Sequence, residues 1–238
     1  MKSVEEWRNL QELNPHKDGR LPSILACTSL LSKGHPDIPA IGNLVGPLSL
    51  ATSLIDASLL FKALRQRPEE VHRMLDFLAD NSIRYGEALI RNGADLIVIS
   101  DPSATGEILG PDMFNTFALP YLNQMIHRMH TLGKPVIVHI CGRIAPVYES
   151  LKRLAAECMS VDSVVNIKEM RNTISGKKLM GNVSTILLQN GPVDKIQKVS
   201  RNLLSSGVDI LAPACGLSAK TPVRHIRAMT ETAKAGIQ

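Results

Sequence analysis

Short apolar runs alternate with longer amphipathic stretches along most of this chain. The short runs resemble buried strands, whereas the longer stretches repeat their apolar residues at helical spacing. Strands alternating with helices predict an α/β fold whose parallel strands are joined by helical crossovers. The predicted strands cover residues 38–45, 95–99, 135–140, 158–161, 178–180 and 208–211. The predicted helices cover residues 22–32, 48–64, 68–92, 111–132, 145–157, 193–206 and 222–235.

The residues that follow the strands favour a barrel over a doubly wound sheet. Neither a G-x-G-x-x-G fingerprint nor a Walker phosphate loop occurs in the sequence. Polar or small residues instead follow almost every strand, and in a (β/α)8 barrel the carboxyl ends of the strands form the rim that carries the active site. We therefore expect a TIM-barrel-type α/β domain at residues 21–238, preceded by a polar N-terminal extension at residues 1–20.

One histidine and two cysteines at strand ends are the strongest candidates for chemistry. His139 and Cys141 are two residues apart at the end of a predicted strand, so their side chains share a face. Cys215 follows another predicted strand and would lie on the same rim. One imidazole and two thiolates suit a zinc ion that keeps a position open for substrate. The alternative is a buried histidine with two structural cysteines. Asp162, at a further strand end, is either a fourth zinc ligand or a turn residue.

Three other residues on the predicted rim are candidates for catalysis or binding. Asp101 is assigned a catalytic role, as a proton acceptor or as a group that orients a ligand, and the alternative is a loop cap. Asn182 is assigned to substrate binding, with turn chemistry as its alternative, and Gly46 is also assigned to substrate binding. Cys27 and Cys158 are expected in the core, and the histidines other than His139 on the surface.

Composition narrows the functional classes. Aromatic residues make up only 3% of the chain and no basic stripe is interleaved with them, so we expect no nucleic-acid partner. No run is long and apolar enough to predict a membrane span, and the first residues lack a signal-peptide core. A cytosolic location is therefore expected, where cysteines more often serve metals or catalysis than disulfides. The net charge of +5 would suit a small anionic substrate or an acidic partner protein.

The sequence resembles the zinc-dependent methylcobamide:coenzyme M methyltransferases of the uroporphyrinogen decarboxylase superfamily. The similarity extends from about residue 22 to the C-terminus and is carried by residues 94–120, 139–142, 181–184, 191–196 and 207–222. It implies a (β/α) barrel with zinc bound through His139, Cys141 and Cys215, which match the family motif residue for residue. An acidic residue can complete the zinc shell in that family, and Asp162 stands at the similar place.

The resemblance also implies a reaction and its partners. It implies methyl transfer from a methylcorrinoid, carried as the methyl donor on a partner protein, to coenzyme M or a similar thiol. One alternative is a decarboxylase of the same superfamily that acts on a tetrapyrrole without a metal, and another is a non-catalytic subunit that binds a corrinoid protein. Family members carry further N-terminal residues that include the first barrel strands. With only about six strands predicted, the barrel is expected to be incomplete, and its open edges predict a homo-oligomer or a covering partner.

Overall fold

A computed structural model describes residues 1–236 of the protein, so the last two residues of the predicted domain lie outside it. Six parallel strands form one sheet whose spatial order follows the chain order, from β1 to β6. The strands are β1 (Ile41–Val45), β2 (Leu96–Ser100), β3 (Val136–Ile140), β4 (Cys158–Val161), β5 (Lys178–Val183) and β6 (Ile210–Pro213). The predicted barrel-type α/β fold with six strands is confirmed, and β1 and β6 are the open edges of the sheet.

Eleven α-helices occur among residues 1–236, and most of them lie in the connections between strands. They are α1 (Leu21–Gly34), α2 (Pro47–Leu54), α3 (Ala57–Gln66), α4 (Pro68–Arg91), α5 (Gly106–Phe117), α6 (Leu119–Thr131), α7 (Tyr148–Lys152), α8 (Ile167–Thr173), α9 (Thr185–Asn190), α10 (Val193–Ser205) and α11 (Val223–Ala235). Short 3-10 helices cover Val4–Asn9, Pro102–Ala104 and Ala145–Val147.

Two helices predicted as continuous are broken in the structure. The predicted helix 48–64 is α2 followed by α3, because the Asp56 side chain accepts a hydrogen bond from the amide of Ser58 and begins a new helix. The predicted helix 111–132 is α5 followed by α6, with the break at Ala118. Helix α5 begins earlier than predicted and bends at Gly110, whose φ of +67° precedes Pro111.

The two faces of the sheet differ in what covers them. Gly42 and Leu44 of β1 are buried beneath the helices, whereas Ile41, Asn43 and Val45, on the opposite face, are exposed. Strands β3 and β4 are buried along their whole length, because they lie in the middle of the sheet. The inner face is therefore most open at the first edge strand, as expected for an unclosed barrel.

The first residues of the chain pack against the helical layer. Val4 is buried, and the indole nitrogen of Trp7 donates a hydrogen bond of 2.8 Å to Glu70 of α4. The domain boundary at residue 20 stays a prediction. Between residues 1 and 236, no single helix is both long and apolar enough to cross a membrane. Helices α2 and α3 meet that test only as a pair, which is bent by 118°.

Candidate metal centre

His139, Cys141 and Cys215 meet at the carboxyl rim of the sheet, as predicted. The Nε2 atom of His139 lies 3.0 Å from the Sγ atom of Cys141, and the two sulfur atoms are 3.5 Å apart. All three ligand atoms lie within 4.8 Å of one another, and both cysteines are free thiols. Cys215 is exposed, so the cluster opens to solvent on the side of β6.

The curvature of the sheet brings these residues together. His139 lies in β3 and Cys215 follows β6, and β4 and β5 lie between them. Three strand spacings in a flat sheet would separate the two strands by about 14 Å. Ligand atoms within 4.8 Å therefore need a sheet that curves as a barrel wall does, even though this sheet is not closed.

The donor set fits a zinc ion. Ligands held tetrahedrally at zinc bond lengths are about 3.5–3.8 Å apart, close to the separations seen here. Burial, followed by the neighbouring Cys215 and Asp162, raises the pKa of Cys141 to about 12, so the thiol keeps its proton until a cation displaces it. Burial lowers the pKa of His139 despite the opposing charge of Asp162, which favours the neutral imidazole that metals require.

Asp162 lies beside the cluster without being part of it. The group of possible ligands within 4.8 Å comprises the histidine and the two cysteines, and no carboxylate of residues 1–236 joins it. The Asp162 carboxylate accepts hydrogen bonds from the amides of Gly142 and Val164 and from the hydroxyl of Ser163. Partial burial acts to raise its pKa, but these hydrogen bonds outweigh burial and lower it. Its role as a fourth zinc ligand stays a prediction.

Asp101 and Gly46 lie together at the carboxyl ends of β2 and β1. Asp101 is completely buried, and its carboxylate accepts hydrogen bonds from the amides of Leu48 and Ser49 at the start of α2 and from the Ser49 hydroxyl. A Cβ atom on Gly46 would lie 2.3–2.5 Å from Asp101 side-chain atoms, so the close approach requires glycine. The catalytic role of Asp101 and the substrate-binding role of Gly46 stay predictions, since this geometry equally describes a buried helix cap.

Asn182 lies within β5, because this strand is three residues longer than predicted. Its side-chain amide donates to the carbonyl oxygens of Asp162 at 2.7 Å and Val165 at 3.0 Å. Its Oδ1 atom is buried and has no hydrogen-bond partner among residues 1–236. The substrate-binding role stays a prediction, and the contacts place Asn182 beneath the loop that carries Asp162.

Sequence reasoning missed Ser160 and misplaced two other residues. The Ser160 hydroxyl lies 3.0 Å from the Nδ1 atom of His139, and its signal in the sequence is the S-x-D spacing that parallels H-x-C on the neighbouring strand. Cys27 was expected in the core but is exposed, whereas Cys158 is buried as expected. His225 was expected on the surface but is buried, with its Nδ1 atom 2.8 Å from the Leu188 carbonyl oxygen.

Fold and site together define a class: barrel-type α/β proteins with their functional groups at the carboxyl rim. The family model for uroporphyrinogen decarboxylase (URO-D) matches residues 1–236. The methylcobamide:CoM methyltransferase MtbA of Methanosarcina mazei is 33% identical over 234 residues, which are 95% of this chain and 69% of MtbA. This protein belongs to the uroporphyrinogen decarboxylase family.

Other matches bear on the branch of the family. A solved methyltransferase structure from Methanosarcina mazei superposes with a TM-score of 0.88 at 29% identity, over 94% of this chain and 66% of that one. The uroporphyrinogen decarboxylase of Staphylococcus carnosus is 28% identical over 214 residues, 87% of this chain and 61% of the relative. The predicted resemblance to the methyltransferases and the assignment to the methyltransferase class are confirmed. The chain spans about two thirds of these proteins.

Proposed function

We propose that this protein transfers a methyl group from a methylated corrinoid protein to a thiol such as coenzyme M. The single observation that carries the proposal is the His139, Cys141 and Cys215 cluster at the rim. The names of the similar proteins, methylcobamide:CoM methyltransferases, support the same donor and acceptor. A relative named methylated-thiol–coenzyme M methyltransferase, 26% identical over 219 residues, supports a thiol as acceptor.

We propose that the three residues hold a zinc ion through Nε2 of His139 and the sulfur atoms of Cys141 and Cys215. A zinc ion bound there would lower the pKa of an added thiol so that the nucleophilic thiolate predominates at neutral pH. The two cysteine thiolates would neutralise the charge of the dication, which would leave an added thiolate electron-rich. Exposed Cys215 marks the side from which the substrate thiol would enter.

The proposed methyl transfer is a displacement at carbon. The sulfur atom of the thiolate forms a bond to the methyl carbon while the cobalt–carbon bond breaks. The electron pair of that bond stays with cobalt, which goes from Co(III) to Co(I), and the thiol proton is released when the thiolate forms. The chain's contribution is to position the thiol at the rim, where a corrinoid protein can approach the open side of the cluster.

A second candidate function is decarboxylation of a tetrapyrrole. The URO-D family model and the decarboxylase relatives favour it. That reaction has no use for two adjacent thiols and an imidazole. A non-catalytic subunit that binds a corrinoid protein is the third candidate, and it would bind without turnover.

Zinc content and methylcobalamin demethylation test the proposal together. We expect about one equivalent of zinc in the purified protein and thiol-dependent demethylation of methylcobalamin. Cys215→Ala should lose most of both, whereas Cys27→Ala, which removes an exposed cysteine on α1, should keep both. Less than about half an equivalent of zinc, with Cys215→Ala unchanged, would refute the metal centre. Zinc binding without turnover would favour the binding subunit.

We further propose that a second copy or a partner protein covers the edges of the sheet. Ile41 and Val45 of β1 are 51% and 39% exposed, and Ile210 of β6 is 42% exposed. Unpaired strands with apolar side chains favour association with another chain. A monomer in sedimentation velocity, with no binding of an apolar dye, would contradict this.

A reducing compartment is also part of the proposal. Sulfur atoms 3.5 Å apart in Cys141 and Cys215 would form a disulfide readily in an oxidising environment, and the metal centre would be lost. We therefore propose a cytosolic location, which the fraction of reduced thiols in protein isolated from its native cells would test.

A further inference from the structure

Strand β4 and the residue that follows it present two polar side chains beside the two proposed ligands at the end of β3. The parallel pairing places Ser160 beside His139 and Val161 beside Ile140. Cys141 and Asp162 are the first residues after β3 and β4, respectively. The spacing of two residues that puts both ligands on one face therefore puts Ser160 and Asp162 on the corresponding face of the neighbouring strand.

Ser160 contacts the imidazole on the side away from the cluster. Its hydroxyl oxygen lies 3.0 Å from Nδ1 of His139, and both residues are buried. An N–H donated by Nδ1 to Ser160 leaves the lone pair of Nε2 directed at the thiols. Histidines that bind metals commonly donate their other ring nitrogen in this way, which fixes the tautomer and the orientation of the ring.

Asp162 acts on the other ligand through the main chain. One of its carboxylate oxygens accepts a hydrogen bond of 3.1 Å from the amide of Gly142, the residue directly after Cys141. Gly142 has a φ of +76°, and a Cβ atom there would lie 2.5 Å from Glu107 Oε1 and 2.9 Å from Thr105 Oγ1. The peptide after Cys141 is therefore enclosed on one side and held by the carboxylate on the other.

The loop that carries Asp162 is itself held by β5. Asn182, which is buried, donates to the carbonyl oxygens of Asp162 and Val165. The second carboxylate oxygen of Asp162 accepts from the Ser163 hydroxyl and the Val164 amide at 3.2 Å each. Both oxygens of Asp162 thus accept hydrogen bonds, and no Asp162 oxygen is among the possible ligand atoms that lie within 4.8 Å of one another.

We propose that Ser160 and Asp162 are a pair of positioning residues, in which Ser160 orients the His139 imidazole and Asp162 fixes Cys141 through the Gly142 amide without binding the metal. This inference rests on the proposed metal centre and deepens it. The metal centre would then have three protein ligands, and its fourth position would be free for the substrate thiol without displacement of a carboxylate.

Zinc affinity in a matched set of variants tests the pair. The set is Ser160→Ala, Asp162→Ala, Asp162→Asn and the control Ser100→Ala. Ser100 is paired with His139 on its other side, in β2, but its hydroxyl donates to Asn43. Competition with a chromophoric chelator would give the dissociation constant of zinc for each variant, and circular dichroism would confirm that each one folds.

The expected affinities differ between the two hypotheses for Asp162. Ser160→Ala and Asp162→Ala should weaken zinc binding by about 10–100-fold, while Ser100→Ala stays close to the wild type. Asp162→Asn should lose less zinc affinity than Asp162→Ala, because the side-chain oxygen of asparagine can still accept the hydrogen bond from the Gly142 amide. If both Asp162 variants lose the same zinc affinity, and the hydrogen exchange of the Gly142 amide does not change, the proposal is overturned in favour of a ligating carboxylate. A Ser160→Ala affinity equal to that of Ser100→Ala would overturn the role of Ser160.

Hydrogen exchange of the Gly142 amide separates this inference from the metal centre. In zinc-free protein, Asp162→Ala should exchange this amide faster than the wild type, whereas Ser160→Ala should not. This measurement does not need a metal. If the wild type fails to bind zinc, the proposed function is refuted, but hydrogen exchange of the Gly142 amide still decides the role of Asp162. Unchanged exchange in Asp162→Ala would show that the carboxylate does not hold the loop.

Discussion

The buried carboxylate of Asp101 makes a specific prediction about pH and stability. Asp101 is completely buried, and burial raises its pKa from 3.8 to about 6, although hydrogen bonds from Ser49 and Leu48 act in the opposite direction. The folded protein therefore binds the proton of this group more tightly than the unfolded chain does. Asp101→Asn replaces the carboxyl group with a neutral one that does not titrate.

The magnitude follows from the shift in pKa. A shift of about two units at about 1.4 kcal/mol per unit corresponds to about 3 kcal/mol. The sign follows from the raised folded-state pKa of Asp101. The stability that protonated Asp101 contributes to the folded protein is fully present below the unfolded pKa of about 4 and is lost as the pH rises through about 6. Relative to Asp101→Asn, the wild type should lose most of this, about 2 kcal/mol of unfolding free energy, between pH 4 and pH 7.

Urea unfolding of both proteins across that range, in zinc-free buffer, measures the difference. Asp56→Asn is a suitable control, because Asp56 also caps a helix but is exposed, and its hydrogen bonds with Ser58 lower its pKa. The Asp56 contribution should be lost as the pH falls, in the direction opposite to that of Asp101. If the difference in unfolding free energy between the wild type and Asp101→Asn is constant from pH 4 to pH 7, the buried carboxylate does not titrate as the structure implies.

Two further predictions concern close approach and thiol reactivity. Gly46→Ala should lower the free energy of unfolding by about 1–3 kcal/mol, because the new methyl group would overlap the Asp101 side chain, and an unchanged melting temperature would contradict this. Iodoacetamide should modify Cys27 at the same rate with or without zinc, whereas zinc should protect the exposed Cys215. Peptide mass spectrometry gives both rates, and equal modification of Cys215 in the two samples would argue against zinc ligation.

Local periodicity was sufficient to predict two of the three residues of the candidate metal centre. The apolar run at residues 135–140 predicts a strand, and a spacing of two places His139 and Cys141 on one face. Cys215 needed an assumption about topology, that the carboxyl ends of parallel strands form one rim. That assumption was correct, because the sheet keeps chain order and curves enough to bring β6 near β3.

Contacts between distant residues explain what the sequence did not reveal. Asp101 and its partner Ser49 are 52 residues apart in the chain, and only the packing of α2 against the segment that follows β2 shows that the carboxylate caps a helix. The bonds of Asp162 to Gly142 depend on the β3–β4 register, which no local pattern specifies. For Cys27, apolar periodicity predicted the helix correctly, but α1 buries only Leu25 in this structure, so the pattern did not predict burial.

The proposed metal centre occupies one half of the sheet, and two of the other predicted site residues lie in the other half. Every proposed ligand and every positioning side chain comes from the part of the chain that runs from β3 to just beyond β6, as does Asn182, whereas Gly46 and Asp101 follow β1 and β2. A zinc ion held by His139 and Cys215 would tie the edge strand β6 to β3, and its binding free energy would add to the stability of that half. The open edge at β1 lies beyond this unit. Incomplete closure there would therefore impair turnover before it impairs zinc binding, so the zinc content and the rate of methyl transfer need to be measured on the same preparation.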